Sequence, residues 1–197
     1  MQKEPDETRM VQDVLSGDRR AFIKLIKQYE GLVLHIVTPL IGAGADREDI
    51  CQDVFMKVYE KLNTFQFRSK LGTWIGNIAY NTSVNFLQKK RNILLSSLVS
   101  PGNEIAFLET ADTDISDPEE IMIRHEDVQH LNRAMDALTE FQKTVLLLFY
   151  KDELSLDEIS SVMEMPVNTV KSHLFRAKNS LKQLMQKMKY DEAAKRI

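Results

Sequence analysis

Apolar residues return every three or four positions through most of the 197-residue chain, the spacing of helices that each bury one stripe. Val11, Val14 and Leu15 mark a first helix that stops at Ser16-Gly17. Asp18 is placed to cap a second, whose stripe runs Phe22, Leu25, Ile26, Tyr29, Leu32, Val33, Ile36 and Val37. Pro39 and Gly42-Ala43-Gly44 end or kink it. A third helix, with Asp46 as its expected N-cap, carries Ile50, Cys51, Val54, Phe55, Val58 and Leu62. After a loop from Asn63 to Lys70, a fourth is predicted from about Leu71 to Arg91, with Leu71, Trp74, Ile75, Ile78, Ala79 and Thr82 inward.

The pattern resumes near Val128–Leu138 and again near Glu140–Tyr150. Ser155-Leu156-Asp157-Glu158 reads as a capping box, in which the Ser155 hydroxyl accepts from the backbone of Glu158 and the Glu158 carboxylate reaches back. A short helix to about Glu164 follows. Met165-Pro166-Val167-Asn168 then forms a turn, and Asn168 or Thr169 caps a long last helix with the stripe Val170, Leu174, Ala177, Leu181, Leu184 and Met188. No segment reads convincingly as a strand. The expected fold class is therefore all-α: two small helical domains, 1–92 and 128–190, joined by a flexible acidic linker over 93–127, the second domain holding a helix-turn-helix. Pro101-Gly102-Asn103, the scattered small and acidic residues around it, and Asp117-Pro118 mark the linker.

Composition narrows the function classes. A single cysteine excludes an internal disulfide scaffold. No run approaches the roughly 18–20 apolar residues of a membrane helix, and the charged opening MQKEPDETR is not a secretory signal, so a cytoplasmic protein is expected. The net charge of −3 argues at first against a nucleic-acid partner. That average hides a block pattern. Leu62 to Asn103 holds five basic residues and no acidic one; Glu104 to Asp127 holds nine acidic residues and only Arg124; Pro166 to Tyr190 holds six basic residues and no acidic one. Attraction to a phosphate backbone follows the local field, so two basic blocks around an acidic connector are the relevant quantity.

Candidate chemistry sits in those basic blocks. A short capped helix, a turn and a long basic helix is the helix-turn-helix plan, in which the second helix enters the major groove. Its stripe leaves Lys171, Ser172, Phe175, Arg176 and Asn179 outward, with His173 beside them. Arg and Lys suit guanine acceptors or phosphate, and Phe packs on a thymine methyl. In the fourth helix Asn77, Asn81 and Asn85 recur at i+4, extended by Gln88 and Lys89. Before it, Phe65-Gln66-Phe67-Arg68-Ser69-Lys70 mixes aromatic and basic residues, as suits unstacked single-stranded bases. On residues alone that pattern equally describes a solvent face and a loop anchored by one buried Phe, and Trp74 reads as core.

The chain resembles bacterial RNA polymerase sigma factors of the extracytoplasmic-function (ECF) group of the sigma-70 family. The segment 46–55, Asp-Arg-Glu-Asp-Ile-Cys-Gln-Asp-Val-Phe, looks like the helix that docks on the polymerase clamp; 67–81, from Phe67 through Trp74 and Asn77 to Asn81, like the segment that reads and melts the −10 promoter element; Leu154–Ile159 with Pro166–Ala177 like the −35-reading helix-turn-helix. The resemblance implies polymerase contacts by Asp49, Gln52, Asp53, Met56 and Lys57. It implies −10 contacts by Phe65, Arg68, Ser69, Lys70, Trp74, Asn77, Asn81, Lys89 and Arg91, and −35 contacts by Asn168, Thr169, Lys171, Ser172, His173, Phe175 and Arg176. It further implies that the chain binds core RNA polymerase through the clamp and flap, binds promoter DNA, is held by an anti-sigma factor, and is not an enzyme. No cofactor is expected. Asn168 stands where relatives often carry Gly, and His173 where they often carry Arg, departures that bear on promoter preference. A plain transcriptional regulator would more naturally carry a sensor domain with strands. An enzyme is unsupported, since His35, Cys51, His125, His130 and His173 lie apart without metal spacing. A helical adaptor for acidic proteins would lack promoter preference.

Overall fold

The computed structural model describes residues 5–97 and 131–195, with side chains over 7–91 and 131–187. Nearly all of the expected linker, together with His125 and His130, lies outside the described residues. Among those residues the secondary structure is helical, without strands, and no helix is long and apolar enough to cross a membrane.

Helix α1 (Pro5–Leu15) starts on a proline, whose missing N–H is harmless in a first turn. It buries Met10, Val11 and Val14, but Leu15, expected on the same stripe, is 51% exposed at the helix end. Gly17, at φ 92, turns the chain into α2 (Arg19–Ile41), and Asp18 caps that helix by accepting from the Arg20 N–H at 2.8 Å, as the sequence predicts. Pro39 does not break α2; the helix ends at Gly42, whose N–H donates to the Thr38 carbonyl. α3 (Ala45–Lys61) begins one residue before Asp46, after Gly44 at φ 124. Asp46 is therefore not the N-cap. It sits in the first turn, where a carboxylate meets the positive end of the helix dipole, and it pairs with Lys90 at 3.0 Å.

A 3-10 turn (Leu62–Thr64) leads to α4 (Leu71–Ser97), which continues past the expected end at Arg91. The second domain comprises α5, described over 131–136, α6 (Glu140–Tyr150), α7 (Leu156–Met163) and α8 (Val167–Lys195). The predicted capping box at Ser155–Glu158 is present. A second one, Thr139 with Gln142, opens α6, on the T-x-x-Q spacing that is the same sequence signature. α8 starts at Val167, so Asn168 and Thr169 lie inside its first turn rather than capping it, and the Val170 N–H donates to the Pro166 carbonyl.

α2 packs against α3, α4 and α6, α4 carries α7, and α8 closes over α6 and α7. One continuous core results, running from Leu25, Ile36 and Ile75 through Leu148 and Ile159 to Val170 and Ala177. Each fully buried aliphatic side chain in it contributes about 1.5–3 kcal/mol relative to exposure. The two domains thus share a core, with the outer face of α8 left to solvent.

Candidate nucleic-acid interface

The inward stripe of α8 fixes what faces out. Val170, Leu174 and Ala177 are buried, so the positions between them are turned away: Asn168, Lys171, Ser172, Arg176 and Asn179 are exposed, and Phe175 is 67% exposed. A phenylalanine left so bare on a basic helix suits an apolar surface that arrives from outside. Thr169 is half-buried. His173 is also half-buried and turns back to stack on Phe141 of α6, with ring centroids 6.2 Å apart, at the margin of the face rather than in its middle.

The second face is the loop before α4 and the outer line of α4 itself. Phe65 is 7% exposed, packed at 4.7 Å on Phe67 and 5.3 Å on Trp74. Its ring is the anchor of the loop and has no open face to stack a base; sequence alone could not choose between those two roles. Trp74 is half-buried in the same cluster. Phe67 adopts φ 53, a left-handed conformation unusual for an aromatic residue, and the Arg68, Ser69 and Lys70 that follow it are exposed. Further along α4, Lys89 and Arg91 are exposed.

Asn77 and Asn81 are half-buried, and their amides are occupied by the second domain. The Asn77 amide donates to Glu164 Oε1 at 3.0 Å and to the Ser161 carbonyl at 3.1 Å; that of Asn81 donates to the same Glu164 oxygen at 2.8 Å. Nearby, Lys70 Nζ reaches Glu158 at 2.9 Å, and His35 Nδ1 reaches Asp152 at 2.9 Å. No periodicity argument singles out Glu164. The signal available was a bulky acid at the turn of a helix-turn-helix, where glycine is easiest.

On α3, Asp49, Gln52 and Asp53 are exposed and Met56 is 57% exposed, with the exposed Tyr59 three residues further along the same helix. Lys57 departs from the expected row: it folds inward and donates to the Thr82 hydroxyl on α4 at 3.2 Å. Cys51 is half-buried, and burial raises its thiol pKa, against a lowering by Arg47. In the second domain an apolar groove of about 940 Å³ is lined by Leu131, Met135, Leu146 and Leu181, with Lys151, Lys178 and Lys182 at its rim. Among the described residues no His, Cys, Asp and Glu side chains gather in threes to hold a metal.

The carboxylates between the domains respond to pH in opposite senses. Burial works against the charge of Glu158, but bonds from Ser155 and Lys70 outweigh it and hold its pKa below the ordinary 4.5. Bonds from Asn77 and Asn81 lower that of Glu164. Burial raises the pKa of Asp152 despite His35. A depressed carboxylate pKa contributes stability that is complete above the unfolded value and disappears as pH falls through the folded one. Glu158→Gln keeps a capping-box side chain but removes the charge that Ser155 and Lys70 hold, so it is expected to lower stability at pH 7 by about 0.5–1 kcal/mol and to shrink the difference between urea melts at neutral pH and near pH 4. An unchanged difference would assign the acid sensitivity to another group.

Known proteins resemble the chain along most of its length. The family model described as Sigma-70 region 2 matches residues 25–93, and that described as Sigma-70, region 4 matches 129–181. The RNA polymerase sigma-H factor of Pseudomonas aeruginosa is 30% identical over 187 residues, covering 94% of this chain and 97% of that protein. The ECF RNA polymerase sigma-E factor of Escherichia coli is 32% identical over 181 residues, covering 87% and 90%. In fold, the chain is similar to the sigma factor RpoE solved with the anti-sigma factor NepR from Bartonella quintana, with a TM-score of 0.62 at 20% identity over 84% of this chain and 96% of that one. It is also similar to CnrH solved with the cytosolic domain of CnrY, with a TM-score of 0.58 at 18% identity over 90% and 95%.

Proposed function

The chain belongs to the sigma-70 family as an ECF RNA polymerase sigma factor, a transcription initiation factor and not an enzyme, and from that premise we propose how its surfaces divide the work of reading a promoter. The working division is 1–92 for polymerase docking and the −10 element, 93–127 as connector, and 128–190 for the −35 element. The observation that carries it is the outer face of α8: a helix free of acids from Pro166 to Tyr190 that exposes Lys171, Ser172, Phe175 and Arg176 side by side. Such a helix suits the major groove of the −35 element, where Arg176 is placed to take guanine acceptors and Phe175 a thymine methyl.

At the −10 element the reading rests on Arg68, Ser69 and Lys70 in the loop, on Asn77 and Asn81, and on Lys89 and Arg91 along α4. Phe65 supports the loop from within. Extruding a base costs a few kcal/mol, which stacking and pocket contacts offset. Asn81→Ala is expected to slow open-complex formation more than initial duplex binding; equal effects on both steps would reduce the asparagine line to a structural one. Asp49, Gln52, Asp53 and Met56 form the face offered to the polymerase clamp. The apolar groove with its lysine rim suits a helix of mixed apolar and acidic character, as a flap contact or an anti-sigma factor would present. RpoE is solved with the anti-sigma factor NepR and CnrH with the cytosolic domain of CnrY, and an anti-sigma partner is proposed here by analogy with the first. The site of action is the cytoplasm, with the polymerase.

The decisive test is reconstitution: the chain plus core RNA polymerase on genomic fragments, with transcripts mapped at their 5′ ends. Promoter-dependent transcripts that require the added chain are expected. Their absence from every fragment would overturn the reading.

A further inference from the structure

α8 holds its polar and aromatic side chains at two depths. Lys171, Ser172, Phe175 and Arg176 stand clear of the protein, whereas His173 is half-buried beside them and rests on Phe141 of α6. We infer that Phe141 is a positioning residue for promoter binding: its ring backs the His173 imidazole and sets it at the edge of the recognition face, where it meets the phosphate backbone rather than a base. The inference rests on the −35 reading of α8 given above and adds to it a residue from outside the helix-turn-helix.

Three observations carry it. The first is where position 173 falls. Val170 and Ala177, three residues before and four after, are buried, so His173 lies on the flank of α8, where the outward face meets the body of the domain. A helix set into the major groove meets base edges along its middle and the two sugar-phosphate strands along its flanks. The second is the geometry of the stack. The rings are 6.2 Å apart between centroids and only 25° from parallel. Such a contact covers the face of the imidazole and leaves open its edge, which carries both nitrogens. Among the described residues no partner takes a hydrogen bond from either nitrogen. An N–H on that edge is a donor for a phosphate oxygen, and a stronger one when the ring is protonated.

The third is the place of Phe141 itself. α6 contributes Thr144, Val145, Leu146 and Leu148 to the buried interior, whereas Phe141 stays 39% exposed in the first turn of the helix. The core does not use its ring, and the ring faces His173. The turn that carries it is firm, because the Thr139–Gln142 capping box is closed by both of its hydrogen bonds. A histidine free to change rotamer loses conformational entropy when it settles on a phosphate. One already held against a fixed ring loses less, so the stack contributes to affinity by preorganisation. A backbone contact of this kind sets the register of the helix on the duplex and carries no sequence information of its own.

The test uses the full chain and two labelled duplexes, one carrying a −35 element mapped by the reconstitution and one of random sequence, titrated by fluorescence anisotropy. Phe141→Ala is expected to weaken both duplexes alike, by about two- to tenfold, and to leave the preference between them unchanged. Phe141→Tyr keeps the stack and should bind as the parent does. His173→Ala should cost at least as much as Phe141→Ala, and the double variant no more than His173→Ala alone, because the phenylalanine acts through the histidine. A merely structural Phe141 would instead give losses that add in the double variant. The inference is overturned if Phe141→Ala leaves duplex affinity unchanged, if the two losses add, or if the loss is confined to the −35 duplex, which would make His173 a reader of bases. Failure of the −35 reading itself would show before any variant is made, as a parent with no preference for the −35 duplex over the random one.

Discussion

Replacing Ile159 by alanine is expected to remove about 2–5 kcal/mol of folding stability, out of the roughly 5–15 kcal/mol that holds a typical native protein together. Ile159 is fully buried in α7, a helix of only eight residues that lies between α4 and α8. So short a helix is marginal by itself, and its place depends on Ile159, Val162 and Met163 filling the space between its neighbours. The cavity left by alanine is bounded by helices that are also held elsewhere, so collapse around it is limited. Because α7 sets the seat of the recognition helix, duplex DNA affinity should fall together with stability. Urea unfolding followed by circular dichroism, alongside duplex binding by fluorescence anisotropy, measures both. Ile159→Val keeps most of the volume and should cost only about 0.5–1.5 kcal/mol. A cost below about 1 kcal/mol for the alanine variant would mean that α7 is not packed as described.

What could be read in advance was local. The stripe of α2 from Leu25 to Val37 and the capping box at Ser155 are set by neighbours three and four residues apart, and both are present. The outward set on α8 follows from the same period, because burying Val170, Leu174 and Ala177 leaves Phe175 and Arg176 no other direction. The misplaced details depend on groups distant in the chain or on backbone choices with several solutions. Lys57 has the polarity of a docking residue, but Thr82 on α4 lies within its reach. Phe65 has the composition of a stacking residue, but Trp74 and Phe67 enclose it. Asp46 could have capped α3 had the helix begun two residues later; with Gly44 at a positive φ the helix starts earlier and the carboxylate pairs with Lys90 instead.

The contact between the domains was beyond any such period. Asn77, Asn81 and Asn85 lie on one helical line in the sequence, yet only the first two meet Glu164, more than eighty residues away. Bulk charge was misleading for a related reason. The net value sums blocks that fold onto different surfaces, whereas the acid-free face of α8 acts through its own local field.

Arg176→Ala should weaken binding to −35 duplex DNA by about 1–3 kcal/mol, the range for loss of one bidentate contact to a base. The loss should be concentrated at one base pair: the parent discriminates there and the variant does not. Lys171→Ala serves as the contrast. If Lys171 holds phosphate, its loss weakens all duplex sequences alike and lowers the slope of log affinity against log salt by about 1. The two residues are neighbours on one exposed face, so local charge alone cannot separate their roles; the planar fork of Arg176 and the point charge of Lys171 can. Anisotropy titrations over a panel of single-base −35 variants, each at several salt concentrations, give both quantities at once. If Arg176→Ala instead weakens every sequence equally and takes the salt slope with it, Arg176 positions the helix on the backbone. Base reading then falls to Phe175 and Ser172, the remaining exposed side chains on that turn of α8.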